Sequence, residues 1–130
     1  LRLMDVINRE AEKIGRRVKV LLEVHVAKEE TKSGFMPEEL DQLRIKNFEL
    51  IDRFPWVEVC GVMGMATNTD DEQEWKRCFR EIKSLASKLS TLNTKQISMG
   101  MSDDYLVAIE EGSTMVRIGS TIFGVRNNKV

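Results

Sequence analysis

The sequence predicts an α/β protein in which parallel strands alternate with helices. The run Val18–Val26 is rich in β-branched residues, as expected of a parallel strand that is covered on both faces. Residues 75–89 instead carry apolar side chains at helical spacing, which indicates an amphipathic helix. Such patterns alternate along the chain and imply right-handed crossovers in a parallel sheet. Periodicity alone leaves a doubly wound sheet and part of a barrel as alternatives.

The first half of the chain is predicted to contain two helices and one strand. Apolar residues recur at helical spacing from Leu3 to Ile14, and Gly15 closes this first helix. The strand Val18–Val26 follows, and a loop of charged and small residues leads from it to Pro37. Proline suits the first position of a helix, so a second helix is predicted to begin there.

The second half is predicted to contain three further strands, each leading into a helix. Val57–Met63 is the second strand of the chain, and a capping box of Thr69 and Glu72 predicts the start of the helix behind it. The third strand covers residues 97–99, and the fourth covers Met115–Ile118. The sequence therefore predicts four strands.

Length and composition indicate one globular domain. A chain of 130 residues is expected to form a single domain, 1–130, with a hydrophobic core. Its 20 basic and 21 acidic residues are interspersed, which argues against nucleic acid or an anionic membrane as a partner. The sequence has no apolar stretch of membrane-spanning length and no signal-peptide pattern, so a cytoplasmic protein is expected. Cys60 and Cys78 lack metal-ligand spacing and are expected to be reduced core thiols.

Two joints between a strand and a helix each combine glycine with serine. At the first joint Gly100 ends a strand, and Ser102 is a suitable N-cap for the helix that follows. At the second joint Gly119 and Ser120 open the last helix. The N–H groups and hydroxyl of such a joint can hold an anion, as in phosphate sites at helix N-termini. Arg117 is a permanent cation in the strand before the second joint; it either faces a ligand or pairs with an acid at the strand end.

Three other polar residues have ordinary explanations. His25 has no second His, Cys or acid at metal-ligand spacing, so we expect a hydrogen-bonded residue at a strand end. Asp103 and Asp104 could pass for a pair of catalytic acids, but they also suit the positive end of a helix dipole.

Long motifs in this sequence resemble those of a known family. The segment SMGMSDD, followed by AIEEGSTMVRIGSTIFG, resembles the C-terminal signature of the pyridoxal-phosphate homeostasis family, which is related to the N-terminal barrel of alanine racemase. LLEVHVAKEETKSGF resembles the strand and loop of that family that end in KSG. The resemblance covers essentially the whole chain.

The resemblance implies the C-terminal half of a (β/α)8 TIM barrel, with four parallel strands. Eight strands close such a barrel, and four cannot. The strands Val18–Val26 and Met115–Ile118 would then be sheet edges with unpaired backbone groups. A homodimer formed through these edges is therefore expected.

The resemblance also implies a function, namely binding and homeostasis of pyridoxal 5'-phosphate (PLP) without catalysis. PLP-dependent enzymes that receive the cofactor would be the partners. The family's covalently binding lysine lies in an N-terminal portion that nothing here matches, so the C-terminal part of such a protein is expected. One alternative is half of a PLP-dependent amino-acid racemase or decarboxylase. Another is a fragment that folds and binds phosphate only.

Seven residues are candidates for the cofactor site that the resemblance implies. Ser98, Gly119 and Ser120 match positions that hold the phosphate, and Arg117 matches the arginine that faces the pyridine nitrogen. Met101 is expected near the cofactor or in the core, and Ser98 alternatively bonds to the backbone. Lys32, in the KSG loop, would meet the phosphate or the aldehyde, or would be a solvated surface lysine. The full set is Lys32, Ser98, Gly100, Met101, Arg117, Gly119 and Ser120.

Overall fold

Three parallel strands form one sheet in the computed structural model, which describes residues 1–30, 33–45, 53–89 and 95–125. The strands are β1 (Val18–Val24), β2 (Val57–Gly64) and β3 (Gln96–Ser98), and they lie in the order β1–β2–β3. Both neighbouring pairs are parallel. The predicted α/β class with a parallel sheet is confirmed.

The described helices connect and flank these strands. They are α1 (Arg2–Ile14), α2 (Pro37–Ile45), α3 (Glu72–Lys88), α4 (Tyr105–Glu110) and α5 (Ser120–Phe123). Both α1 and α3 pack against β2, and α3 also contacts α2 and α4. None of these described helices combines the length and apolar character needed to cross a membrane.

The hydrophobic core lies between β2 and α3. Val62 on the strand and Phe79 and Ile82 on the helix are fully buried. Phe79 and Ile82 belong to the helical stripe predicted from residues 75–89, and that prediction is confirmed. Cys78 also lies in the core, whereas Cys60 is only half-buried; both are free thiols.

The fourth predicted strand is not a strand in the described residues. Met115 forms only an isolated parallel bridge with Ser98, so the sheet has three strands and the prediction of four was wrong. The reason lies in β3, which ends at Ser98 because Gly100 adopts φ 101°. Its backbone then leaves the extended conformation, and a regular ladder cannot continue alongside 115–118.

Two predicted helix N-caps were wrong, whereas the predicted end of α1 at Gly15 is confirmed. The N-cap of α3 is Asp71, whose carboxylate accepts a hydrogen bond from the Gln73 N–H at 3.0 Å. Thr69 does not cap the helix, because its hydroxyl accepts from the Asp71 N–H before the helix begins. At α4 the N-cap is Asp104 rather than Ser102, since a turn at 102–104 precedes the helix.

Candidate functional site

The C-terminal ends of the three strands share one edge of the sheet. Parallel pairing places Val24 beside Gly64, and Met63 beside Ser98. A cavity of about 430 Å³ opens at this edge. One part of its wall comes from residues after β1, a second part from residues after β2, and a third from the first joint. In α/β folds with parallel strands, ligands bind at this edge.

The first joint contains a glycine that the fold itself requires. Gly100 has φ 101°, and a Cβ there would lie 2.7 Å from the Cβ of Ala108 in α4. Ser98, two residues before it, is only 2% exposed. Met101, just after it, is 44% exposed and lines the cavity, so it does not fill the core.

The second joint lies directly beside the first. The Arg117 N–H donates to the Gly100 carbonyl at 2.9 Å, and the Thr121 N–H donates to Ser102 Oγ at 3.2 Å. The structure thus brings together the two joints that the sequence singled out. The hydroxyl of Ser102, predicted as a helix cap, instead connects them.

The Arg117 side chain reaches from the second joint to the end of β2. Its Nη2 donates to the Gly64 carbonyl at 2.9 Å. Its Nε is buried and has no hydrogen-bond partner among the described residues. Burial lowers the pKa of the guanidinium, and the carboxylates of Glu23 and Asp104 oppose that effect. Those two acids line the cavity, whereas Arg117 itself does not.

The start of α5 is open. Gly119 and Ser120 are both exposed, and their N–H groups donate no hydrogen bond within the described part of the chain. A Cβ at position 119 would meet no protein atom within 4 Å. Gly119 has φ −113°, which any residue can adopt. Protein packing therefore does not explain this glycine, in contrast to Gly100.

The remaining polar candidates from the sequence are Lys32, His25, Asp103 and Asp104. Lys32 lies outside the described residues. His25 follows β1, and its Nε2 donates to the Glu29 carbonyl at 3.0 Å, which confirms the expected hydrogen-bonded strand-end role. His25, Asp103 and Asp104 all line the cavity. The described residues contain no group of three or more His, Cys, Asp or Glu side chains suited to a metal ion.

A buried carboxylate near the cavity escaped the sequence analysis. Glu74 is 7% exposed, and Arg77 donates to it from Nε at 2.5 Å and from Nη2 at 2.9 Å. The Arg77 hydrogen bond lowers the pKa of Glu74 to about 2; burial opposes this, and Thr67 and Lys28 reinforce it. The pKa of Arg77 is raised in turn. One signal was available: Glu74 lies one helical turn before Cys78, on the apolar face.

Sequence comparison identifies relatives over most of the chain. The chain is 39% identical to the pyridoxal phosphate homeostasis protein of Aquifex aeolicus over 127 residues, which cover 95% of this chain and 54% of that protein. It is 35% identical to the protein of the same name from Haemophilus influenzae, covering 97% of this chain and 53% of that protein. The chain therefore spans about half the length of these relatives.

Solved structures resemble the chain to a similar extent. PipY of Synechococcus elongatus without PLP superposes with a TM-score of 0.82 at 29% identity, covering 95% of this chain and 57% of that one. The same protein with PLP bound gives a TM-score of 0.75 at 30% identity, covering 90% and 54%.

A family assignment follows from the extent of the match. Residues 1–127 match the family described as alanine racemase, N-terminal domain. This match includes all three strands and both joints, and the relatives above agree with the resemblance seen in the sequence motifs. The chain belongs to the alanine racemase N-terminal domain family and is similar within it to the pyridoxal phosphate homeostasis proteins.

Proposed function

We propose that this chain is part of a non-catalytic protein that binds pyridoxal 5'-phosphate and serves its homeostasis. The relatives named for that role support the proposal, as does PipY, whose structure with PLP bound resembles this chain. The observation that carries the proposal is the buried Nε of Arg117, which has no partner among the described residues.

The unpartnered Nε fits the ring of PLP. A buried N–H without an acceptor costs free energy, on the order of 1–3 kcal/mol. The pyridine nitrogen of PLP is an acceptor when unprotonated, and a guanidinium has only donors to offer. Arg117 would therefore hold the ring by donating to its nitrogen. The Gly64 carbonyl already fixes the other end of the guanidinium.

The second joint fits the phosphate. The exposed residues Gly119 and Ser120 stand at the start of α5 and offer two backbone N–H groups and the Ser120 hydroxyl. Such donors suit a phosphate group. Gly119 leaves space for a close approach. Ser98 is nearly buried, and in this proposal its hydroxyl also holds the phosphate.

The chemistry at the ring suits a carrier, or a racemase that needs little electron withdrawal by the ring, better than an aminotransferase. When bound, PLP supplies an aldehyde that reacts with amines and a ring that withdraws electrons. A guanidinium only donates hydrogen bonds, so the ring nitrogen facing Arg117 must accept one and remain unprotonated. An unprotonated ring withdraws electrons weakly, so these residues suit retention of the cofactor more than turnover. A carrier would pass PLP to cofactor-dependent enzymes in the cytoplasm.

The same proposal extends to the fold. Parallel strands that alternate with helices, in the order β1–β2–β3, fit one side of a (β/α)8 barrel. Residues 1–130 would then be a single partial barrel domain, its C-terminal half. An unpaired edge of β1 would support a homodimer. Sedimentation that shows a monomer at all concentrations would contradict the dimer.

A titration with PLP tests the proposed function. We expect the chain to bind PLP by calorimetry, with a change in the fluorescence of Trp75, which lines the cavity. Arg117→Gln should weaken binding about ten- to a hundredfold, because hydrogen bonds to charged groups contribute about 1.5–3 kcal/mol. The matched control is Arg80→Gln, an exposed arginine that pairs with Glu111. Equal affinities of the two variants, no binding at all, or amino-acid racemisation would contradict the proposal.

A further inference from the structure

Two loops border the cavity, one after β1 and one after β2, and one buried carboxylate connects them. The first loop includes Val26 and Lys28, and the second includes Thr67. We propose that Glu74 is the positioning residue that holds these two loops in register. Its effect on a ligand in the cavity rests on the proposed function, whereas its effect on the loops does not.

The first connection runs through a threonine. Thr67 Oγ1 donates to Glu74 Oε2 at 2.5 Å. Thr67 Oγ1 also accepts a hydrogen bond from the Lys28 N–H at 3.0 Å. Because Thr67 must donate its single hydroxyl proton to the carboxylate, its lone pairs are left to face the Lys28 N–H. Glu74 thereby fixes the direction of a contact between the two loops.

The second connection runs through an arginine. Arg77 binds both oxygens of Glu74, and its Nη2 also donates to the Val26 carbonyl at 2.8 Å. Val26 is buried and lies two residues after the end of β1. A bidentate pair holds a guanidinium in one orientation. Glu74 therefore aims Arg77 at the first loop, just as it aims Thr67.

The placement of this ion pair distinguishes it from an ordinary stabilising pair on a helix. Arg80 and Glu111 also form a bidentate pair, but they are more exposed and link α3 to α4 away from the cavity. Around Glu74, the Nζ of Lys28 lies 3.7 Å from Oε1, and Cys78 Sγ lies 3.7 Å from Oε2. All these groups come from α3 or from the two loops.

The loops held in this way form the cavity wall. Val26, Ala27 and Thr67 line the cavity, and so does Asn68. The Asn68 N–H donates to the Glu29 carboxylate and adds a further link between the loops. A shift of one loop against the other would thus change the shape of the cavity, although Glu74 does not line it.

Hydrogen exchange tests the positioning role without any ligand. In Glu74→Gln, we expect the Lys28 amide to exchange about tenfold faster than in the wild type, because the Thr67 contact loses its direction. The amide of Thr121, an exposed residue outside both loops that donates to Ser102 Oγ, should keep its rate. The control is Glu81→Gln, which removes a carboxylate that binds the same Arg77 from the solvent side at 2.9 Å. Its Lys28 amide should exchange as in the wild type.

A second pair of variants separates loop positioning from loss of the ion pair. Thr67→Val removes the hydroxyl but leaves Glu74 and Arg77 paired, and it should also accelerate exchange at Lys28. Thr67→Ser keeps the hydroxyl and should restore slow exchange. The proposal is overturned if Lys28 exchanges at the wild-type rate in both Glu74→Gln and Thr67→Val. It is equally overturned if the Thr121 amide accelerates as much as the Lys28 amide, since the effect is then not confined to the two loops.

Ligand binding provides a separate measurement. We expect Glu74→Gln and Thr67→Val to weaken PLP binding about tenfold and to leave binding of inorganic phosphate unchanged. The control variant Glu81→Gln should bind both ligands as the wild type does. A wild-type chain that does not bind PLP would contradict the proposed function, and the exchange rates would still decide the role of Glu74. PLP affinities that are equal in all variants would restrict that role to the loops and overturn its effect on the ligand.

Discussion

The Thr121 N–H donates a hydrogen bond to Ser102 Oγ at 3.2 Å, which joins two segments that are 19 residues apart in the chain. Ser102 belongs to the turn before α4, and Thr121 belongs to the first turn of α5. The contact is a direct link between the two glycine- and serine-containing joints.

Replacing Ser102 with Ala should therefore loosen α5 against the first joint. We expect the Thr121 amide to exchange several-fold faster and the free energy of unfolding to fall by about 0.5–1.5 kcal/mol, the usual net contribution of one hydrogen bond. The exposed Ser84 on α3 offers a control, Ser84→Ala. A Thr121 amide that exchanges at the same rate in both variants would show that the contact does not hold the joints together.

Two glycines of the site should respond differently to the same substitution. Gly100→Ala places a methyl group 2.7 Å from Ala108 Cβ at φ 101°, so it should destabilise the fold by about 2–4 kcal/mol in urea unfolding. Gly119→Ala meets no protein atom within 4 Å and should change stability by less than about 0.5 kcal/mol. If PLP approaches the second joint closely, Gly119→Ala should still weaken its binding about tenfold. Unchanged affinity would remove Gly119 from the phosphate site.

The Glu74 carboxylate should make stability depend on acidic pH. Its folded-state pKa, about 2, lies below its ordinary value of 4.5, so its contribution is present above about pH 4.5 and is lost as the pH falls towards 2. Since one pKa unit corresponds to about 1.4 kcal/mol, the contribution at neutral pH is roughly 3 kcal/mol. Wild type should exceed Glu74→Gln by about this amount in urea unfolding at pH 7, and the difference should shrink between pH 4.5 and 2. A difference that is constant with pH would contradict the assignment.

The core between β2 and α3 should carry much of the stability. Phe79→Ala leaves a cavity at a fully buried position and should cost about 3–5 kcal/mol in urea unfolding. Leu106→Ala on α4 removes an exposed side chain and should cost less than about 0.5 kcal/mol. Similar costs for the two variants would mean that the side-chain stripe of α3 does not form the core.

The sequence was informative where a local pattern decides the structure. The stripe from Cys78 to Leu89 follows the helical period, because burial against one neighbour imposes that period. The two glycine- and serine-containing joints were also recognisable from their residues, and the structure brings them together. The fourth strand failed because Gly100 turns the partner strand away, and the residues of Met115–Ile118 do not reveal that.

Tertiary contacts explain what the sequence could not predict. Several residues near the start of α3 are suitable caps, and only the path of the chain selects Asp71 over Thr69. Glu74 resembles any helix-surface acid until Thr67 and Arg77 surround it. The direction of the Arg117 side chain depends on the Gly64 carbonyl, which lies 53 residues away in the chain.

The hydrogen bond from Arg117 to Gly64 has a consequence for whatever acceptor meets the free Nε. Immobilising a long flexible side chain costs up to about 2 kcal/mol of conformational entropy. Here that entropy is already lost on folding, because the Gly64 carbonyl of β2 binds Nη2 of the guanidinium, while the buried Nε has no partner among the described residues. A heterocyclic ligand would therefore bind a preorganised guanidinium, and ordering of the Arg117 side chain would not reduce the ligand's affinity.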